Sequence, residues 1–381
     1  MGTLFWISVL GVWIYRTYRL LVTLQKTPHV SPDSSPAPAG FVSVMLPAKN
    51  EQANIRACLE SLRNQDYPSF EIIVINDNSS DRTESILKSL SQTYINCPPV
   101  PEGWTGKNHA IHYGVANSKG DWLLFTDADT RHGPQSLSAA LAHAQKHQLE
   151  FLTLLPHCLT GSFVENMIQP LAMAFLGLWF PLEKVNDPKS PLYFANGQYL
   201  LIKRGLYEKI GGHEAVKNEF LEDFALMKKA KALSAKAQCA FGAEIYGTRM
   251  YDSLEKIWKG WRRIYLHAFK RNAFPLFKNA AMVFIFSFLP FALLIPSHLW
   301  FISSSAFMSS PHALSGDPCL WIPAFAGMTL ALILVITWRA YAMVRAKKVF
   351  AIFHPLAAFV IALILLDAMR MALTNQRTQW R

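Results

Sequence analysis

Acidic side chains recur directly after apolar runs in the middle of this 381-residue chain. Asp77 follows Phe70 to Ile75, Asp127 and Asp129 follow Trp122 to Thr126, and Glu222 and Asp223 follow Phe220-Leu221. Carboxylates gathered at one place cannot all ionise without a compensating cation, and a hard divalent metal carrying a diphosphate meets that need. The stretch Gly103-Trp104-Thr105-Gly106-Lys107-Asn108 adds a glycine-punctuated loop with a lysine before a helix, a pattern suited to phosphate contact. Each signal has a plainer reading by itself: a D-x-D triplet in a solvated loop, Asp77 in a helix-capping loop, an ordinary turn, and acids at a helix start. Their order and spacing together favour the metal and diphosphate.

The elements that must hold these groups alternate short apolar runs with amphipathic segments over residues 41–250. That is the pattern of an α/β domain with a mostly parallel sheet. Phe41 to Leu46 reads as a first strand stopped by Pro47, and Asn54 to Asn64 as a helix with Ile55, Leu59 and Leu62 on one face. Phe70 to Ile75 reads as a buried central strand, and Trp122 to Thr126 as another. Helices are expected at Thr83 to Leu90 and Phe224 to Leu233. In open α/β sheets ligands bind outside the carboxyl ends of strands, and Pro47 to Glu51, Asp77 and Asp127 to Asp129 fall at three such ends.

The motifs VSVMLPAKNE (42–51), IIVINDNSSDRT (72–83), GWTGKNHAIHYGVANSKGDWLLFTDAD (103–129), ANGQYLLIKRGLYEKIGG (195–212) and LEDFAL (221–226) resemble those of family 2 glycosyltransferases with the GT-A fold. The resemblance covers roughly residues 41–270 and is strongest to bacterial hopene-associated glycosyltransferases and their carotenoid-glycosylating relatives. It implies a Rossmann-like, mostly parallel sheet and transfer of a sugar from a nucleotide sugar, with UDP as the expected nucleotide and Mg²⁺ or Mn²⁺ as the cofactor. Residue by residue, it implies that Pro47, Ala48 and Glu51 border the nucleoside and that Asp77 reads the uracil or its ribose. Lys107 approaches the base or phosphates, and Asp127 and Asp129 serve the sugar nucleotide, Asp129 most directly through the metal. Asn196, Gly197 and Gln198 match the acceptor-side strand, Asp223 matches the general base, and Glu222 stands beside it. Processive members carry Q-x-x-R-W, whereas here the region reads Trp258-Lys259-Gly260-Trp261-Arg262-Arg263. Trp261, Arg262 and Arg263 keep the residue types on the acceptor and diphosphate side but not the order, which fits transfer of a single sugar better than chain building. One base and no covalent intermediate implies inversion at the anomeric carbon.

The remaining composition points to a bilayer. The chain is 51% hydrophobic and only 17% charged, and its net charge is +11. Residues 41–250 hold 20 basic and 21 acidic side chains, whereas 251–280 and 281–381 each hold 7 basic and 2 acidic ones. A basic collar beside apolar segments suits an anionic membrane surface and argues against nucleic acid. The expected organisation is an N-terminal anchor (1–26), a Pro/Ser-rich linker (27–40), the catalytic domain (41–250), a basic amphipathic interfacial segment (251–280) and C-terminal transmembrane helices (281–381). Arg16, Arg19 and Lys26 follow the first apolar run rather than precede it, so it reads as a retained anchor and not a signal peptide. Further spans are expected at Ala281 to Ile302, Trp321 to Val344 and Ala351 to Leu373. The last contains Asp367 and Arg370 and either spans or lies in the interface. The 303–320 connection lacks Lys and Arg, and 339–348 holds Arg339, Arg345, Lys347 and Lys348. The positive-inside rule therefore puts the catalytic domain on the cytoplasmic side with the chain integral to the membrane, and the resemblance implies the plasma membrane of a bacterium. Ser315 to Thr329 resembles a translated palindromic repeat.

Leu254, Trp258, Trp261, Tyr265 and Phe269 form one helical stripe beside basic residues, expected to lie on the membrane, with core packing as the other reading. Met167 to Phe180 is uncharged but too short to span, and reads as core before membrane flap. These features favour an amphiphilic, lipid-like acceptor. Five scattered cysteines without a C-x-x-C pair argue against a disulfide framework or a zinc site. Of the histidines, His213 reads as structural rather than as a border of the acceptor site, and His109 and His112 fall on a helix facing solvent or core. Competing readings are a nucleotidyltransferase, which wants a glycine- and arginine-rich loop where this chain has LPAKNE, transfer to a polysaccharide, and a non-catalytic nucleotide-sugar-binding scaffold, which could lose Asp129 or Asp223. A channel finds little support in spans with one clear intramembrane carboxylate.

Overall fold

A computed structural model describes residues 2–32, 40–293 and 318–376. The linker stretch 33–39, the far end of the span expected to reach Ile302, the 303–317 connection and the basic residues Arg377 and Arg381 lie outside the described residues. The chain forms two compact units: residues 25–159 with 180–250, and residues 1–24 with 160–179 and 251–376.

The first unit is α/β. Its main sheet has the order β3-β2-β1-β4-β8-β6-β9. The strands are β1 (Val42–Ala48), β2 (Phe70–Asn76), β3 (Tyr94–Asn96), β4 (Trp122–Phe125), β5 (Thr130–His132), β6 (Phe151–Leu155), β7 (His157–Cys158), β8 (Leu200–Lys203), β9 (Ala237–Phe241) and β10 (Tyr246–Thr248). Within the main sheet β8 is antiparallel to both neighbours, and every other pairing is parallel. β5, β10 and β7 make a small second sheet. Val42, Val44, Leu46, Val74, Leu124, Leu152 and Leu201 bury one face of the main sheet; Met45, Ile75, Leu123, Phe125 and Ile202 bury the other. That two-sided burial is why the strands read as continuous apolar runs.

Two local expectations are corrected. β1 does not stop at Pro47 but runs on to Ala48, with Pro47 opposite Ile75. Pairing with β4 ends at Met45, so Pro47 sits where β1 has a partner on one side only and its missing N–H removes no ladder bond there. The linker also begins later than residue 27: Phe241 N donates to Pro28 O and Val30 N to Phe241 O, so the chain adds to the edge beside β9.

The second unit is helical. Among the described residues, four helices are long and apolar enough to cross a membrane: Leu4–Lys26, Ala273–Ala292, Ala326–Met343 and Lys348–Leu373. The expected boundary at residue 280 falls inside the helix Ala273–Val283. Thr160–Trp179 also leaves the α/β domain and joins this unit. Its helix Phe163–Trp179 is apolar nearly all round, so it needs apolar partners on every side; Met167, Ile168, Leu171, Ala172 and Phe175 are buried. Helix Leu254–Ala268 presents Ile257, Trp261, Tyr265 and Leu266 to protein, with Tyr265 Oη donating to Ala172 O at 3.1 Å. The stripe expected on lipid is therefore largely a core stripe, since an apolar periodicity is the same for either surface. Leu254 alone of its large apolar members is well exposed.

Candidate active site

β1, β2 and β4 are adjacent and parallel, so the loops that follow them leave the same edge of the sheet. Asp77, just after β2, is buried, and its backbone N–H donates to Ala48 O at 2.8 Å. Its Oδ2 pairs with Lys49 Nζ at 3.1 Å, whereas Oδ1 is buried without a hydrogen-bond partner. The loop after β1 is clipped to the loop after β2. Asn50 N donates to Ser79 Oγ, Glu51 N to Thr83 Oγ1, and Gln52 N to Asp81 Oδ2. Asn50 adopts a left-handed backbone (φ 57°), which asparagine tolerates, and its Oδ1 accepts the Ser80 N–H. Glu51 starts the helix Ile55–Arg63: its carbonyl accepts from Asn54 and Ile55, and its carboxylate accepts from Asn54 Nδ2.

Lys107 lies in the first turn of the helix Gly106–Ala116, which Thr105 caps by accepting from Asn108 N. Its ammonium contacts Asp127 Oδ1 at 2.8 Å and Glu222 Oε1 at 2.7 Å. Burial disfavours the charged lysine, but the Asp127 and Glu222 carboxylates override it and raise its pKa. Asn108 Nδ2 donates to the carbonyls of Val216, Lys217 and Glu219, fixing the loop that leads into Glu222. Asn108 lies within the GWTGKN motif, whose residue types carry no signal for this role.

Glu222 and Asp223 open the helix Glu222–Ala232, where its dipole favours acids. Asp223 Oδ2 accepts the Gly197 N–H at 2.7 Å and Oδ1 accepts the Phe224 N–H at 2.8 Å. Burial, then the neighbouring Glu222 charge, push the Asp223 pKa up to about 7, against the pull of Lys107 and the two backbone donors. Asn196, Gly197 and Gln198 lie in the turn before β8 rather than in the strand itself. A Cβ at Gly197 would meet Asp223 Oδ2 at 3.3 Å and Glu222 Oε1 at 3.4 Å.

Asp129 is reached from that same turn. Gln198 Nε2 donates to Thr248 Oγ1 at 3.1 Å, and Thr248 Oγ1 lies 3.3 Å from Asp129 Oδ1. Arg249 N donates to Asp129 O. One network thus joins Asp127, Lys107, Glu222, Asp223, the Gly197–Gln198 turn, Thr248 and Asp129. Thr248, on β10, carried no sequence signal: it meets Asp129 across 119 residues. His213 is structural, buried against Tyr207 Oη at 2.9 Å, with burial lowering its pKa to about 3. His109 is mostly buried, 3.3 Å from Cys97 Sγ, and both His109 and His112 contact the Trp104 ring. Trp261, Arg262 and Arg263 belong to the helical unit. There Trp261 is buried, and Arg262 Nη1 pairs with Asp367 Oδ2 at 2.9 Å, so this guanidinium has a carboxylate partner within its own unit.

Residues 43–211 match the family model Glycosyl transferase family 2. That segment is a family 2 glycosyltransferase domain. The chain is 26% identical over 226 residues to 4,4'-diaponeurosporenoate glycosyltransferase of Staphylococcus aureus (strain MRSA252), over 58% of this chain and 60% of that protein. It therefore spans less than two thirds of the length of that curated relative. The fold is also similar to the mannosyltransferase PcManGT from Pyrobaculum calidifontis, solved in complex with GDP-Man and Mn²⁺, at a TM-score of 0.53 and 17% identity, covering 99% of this chain and 100% of that one. The family 2 domain includes Lys107, Asp127, Asp129 and the Gly197 turn; Glu222, Asp223 and Thr248 lie beyond the matched segment.

No group of three or more His, Cys, Asp or Glu suited to a metal occurs among the described residues. Asp127 and Asp129 offer two carboxylates, and that donor set fits Mg²⁺ or Mn²⁺. Such ions bind through one or two carboxylates and substrate phosphates rather than in all-protein cages.

Proposed function

We propose that the protein transfers one sugar, with inversion, from a nucleotide sugar to an amphiphilic acceptor at the cytoplasmic face of a bacterial membrane. The observation that carries this reading is Asp223, a carboxylate with a pKa raised to about 7, joined through the Gly197 turn and Lys107 to the Asp127 and Asp129 side chains. A general base works best when its pKa lies near the working pH, because it is then both deprotonated and basic enough. Asp223 takes the proton of the acceptor hydroxyl as that oxygen attacks the anomeric carbon and the diphosphate leaves from the opposite side. The Gly197 and Phe224 N–H groups hold the carboxylate at a fixed angle. Lys107 supplies positive charge to the leaving diphosphate while neutralising Asp127 and Glu222. Asp129, with Asp127, would hold a divalent cation, which when bound would neutralise charge on the departing diphosphate. The orphaned Asp77 Oδ1 suits a nucleoside N–H or hydroxyl, with Pro47, Ala48 and Glu51 alongside.

The apolar helices and the carotenoid-related name of the S. aureus relative support a lipid acceptor, such as a carotenoid or hopanoid. The test incubates purified protein with UDP- and GDP-sugars and Mn²⁺, with and without lipid extract. Mn²⁺-dependent release of nucleotide that rises with lipid, and a glycosylated lipid product, are expected. Absence of turnover with every donor refutes the assignment.

A further inference from the structure

Arg16 is a buried cation inside a helix long and apolar enough to span a membrane. It lies about 18 Å along that helix from Leu4, past the middle of a hydrocarbon core of about 30 Å, on the side of Lys26. A guanidinium there is costly unless it is paired. Its Nη1 donates to Ser287 Oγ at 2.8 Å, and its Cζ stacks 4.7 Å from the Trp13 ring and 5.7 Å from Phe175. No carboxylate pairs with it among the described residues, because those of the helical unit are engaged elsewhere. Glu165 accepts from Gly161 and Ser162 N–H, Asp252 pairs with Lys256, Glu255 with Lys259, and Asp367 with Arg262 and Arg370.

A second buried polar group leans on the same Trp13 ring. His354 is fully buried, its ring centroid 5.5 Å from that of Trp13, and its Nε2 has no hydrogen-bond partner. Its tautomer follows from its neighbours. Thr337 Oγ1 donates its only proton to Ile333 O at 2.8 Å, so toward His354 Nδ1, also at 2.8 Å, it must accept. Nδ1 therefore carries the hydrogen, and Nε2 of the neutral ring is a bare acceptor. Around these side chains the helix turns π-helical at Phe284–Phe288, and Trp13 Nε1 donates to Phe286 O at 2.7 Å within it. Such turns are frequent at functional sites.

We propose that Arg16, Ser287 and His354 form a binding site, within the helical unit, for an anionic membrane lipid whose headgroup also carries a hydroxyl. The anion answers the guanidinium, and the hydroxyl donates to His354 Nε2.

The test adds phosphatidylglycerol, phosphatidylmethanol (the same anion without a hydroxyl) or phosphatidylcholine to full-length protein in neutral detergent, and counts retained lipid by native mass spectrometry. Phosphatidylglycerol should be held about tenfold more tightly than phosphatidylcholine, and phosphatidylmethanol should fall between them. Arg16→Gln should erase the preference for the anionic lipids. His354→Phe, which keeps an aromatic ring against Trp13, should erase only the preference for phosphatidylglycerol over phosphatidylmethanol. An unchanged helical signal by circular dichroism and an unchanged thermal transition report that the helical unit of each variant is folded. Equal retention of all three lipids by the wild type, or unchanged preferences in both variants, overturns the proposal. So does displacement of phosphatidylglycerol by millimolar inorganic phosphate, which would assign the site to a soluble anion.

Discussion

Asp223 Oδ2 accepts the backbone N–H of Gly197 at 2.7 Å. This bond ties the proposed base to the turn before β8, and the same turn reaches Asp129 through Gln198 and Thr248. The proposed base and the carboxylate proposed for the metal are thereby tied to one short segment of chain.

Replacing the base tests the first consequence. Asp223→Asn is expected to lower kcat by about 10²–10⁴-fold while leaving nucleotide binding nearly intact. In the wild type, kcat/KM should rise with pH through about 7 as the carboxylate loses its proton. The linked stability runs the other way. The folded pKa is raised from 3.8, so the contribution of this group is fully present below about pH 4 and is lost as pH rises through about 7. Thermal unfolding of Asp223→Asn should lack that decline.

At Gly197 a larger residue makes the neighbouring carboxylates give way by a few tenths of an ångström. A methyl group there meets Asp223 Oδ2 at 3.3 Å and Glu222 Oε1 at 3.4 Å. Gly197→Ala should fold, keep its KM for the nucleotide sugar, and lose roughly ten- to a hundredfold in kcat through displacement of the base. A variant with normal kcat would separate Gly197 from the chemistry.

Lys107 is the counter-charge of the site. Lys107→Met strands Glu222 with a buried charge and should cost about 3–5 kcal/mol by denaturant unfolding, whereas adding Glu222→Gln should recover much of the loss. Equal stability of the single and double variants would show that the pair is not what holds this loop.

Thr248→Val removes the hydroxyl beside Asp129 and Gln198 without changing the size of the side chain. The expected outcome is an apparent Mn²⁺ affinity weaker by about 10–100-fold, read from the metal dependence of nucleotide-sugar binding, with the fold unchanged.

Much of the fold was legible because the signals are local. Ile72 to Ile75 is β-branched and apolar on consecutive positions, which favours a strand covered on both faces, and β2 is that strand. Pro47 misled because a missing N–H ends a strand only where a ladder bond is needed, and the pairing of β1 with β4 had already ended. The stripe of Trp261 and Tyr265 misled for a different reason. Helical periodicity says that a face is apolar, not whether lipid or protein meets it.

The residue types by themselves determined the alternation of strands and helices, the acids at the strand ends, the lysine at the start of its helix and the apolar spans. These follow from side-chain chemistry acting over a few residues. Tertiary structure alone decided that Lys107 sits between Asp127 and Glu222, that Gly197 orients Asp223, that Thr248 reaches Asp129, and that Arg262 is matched by Asp367. Those contacts join groups far apart in the chain, and only the packing of the whole sheet and of the helices brings them within hydrogen-bonding distance.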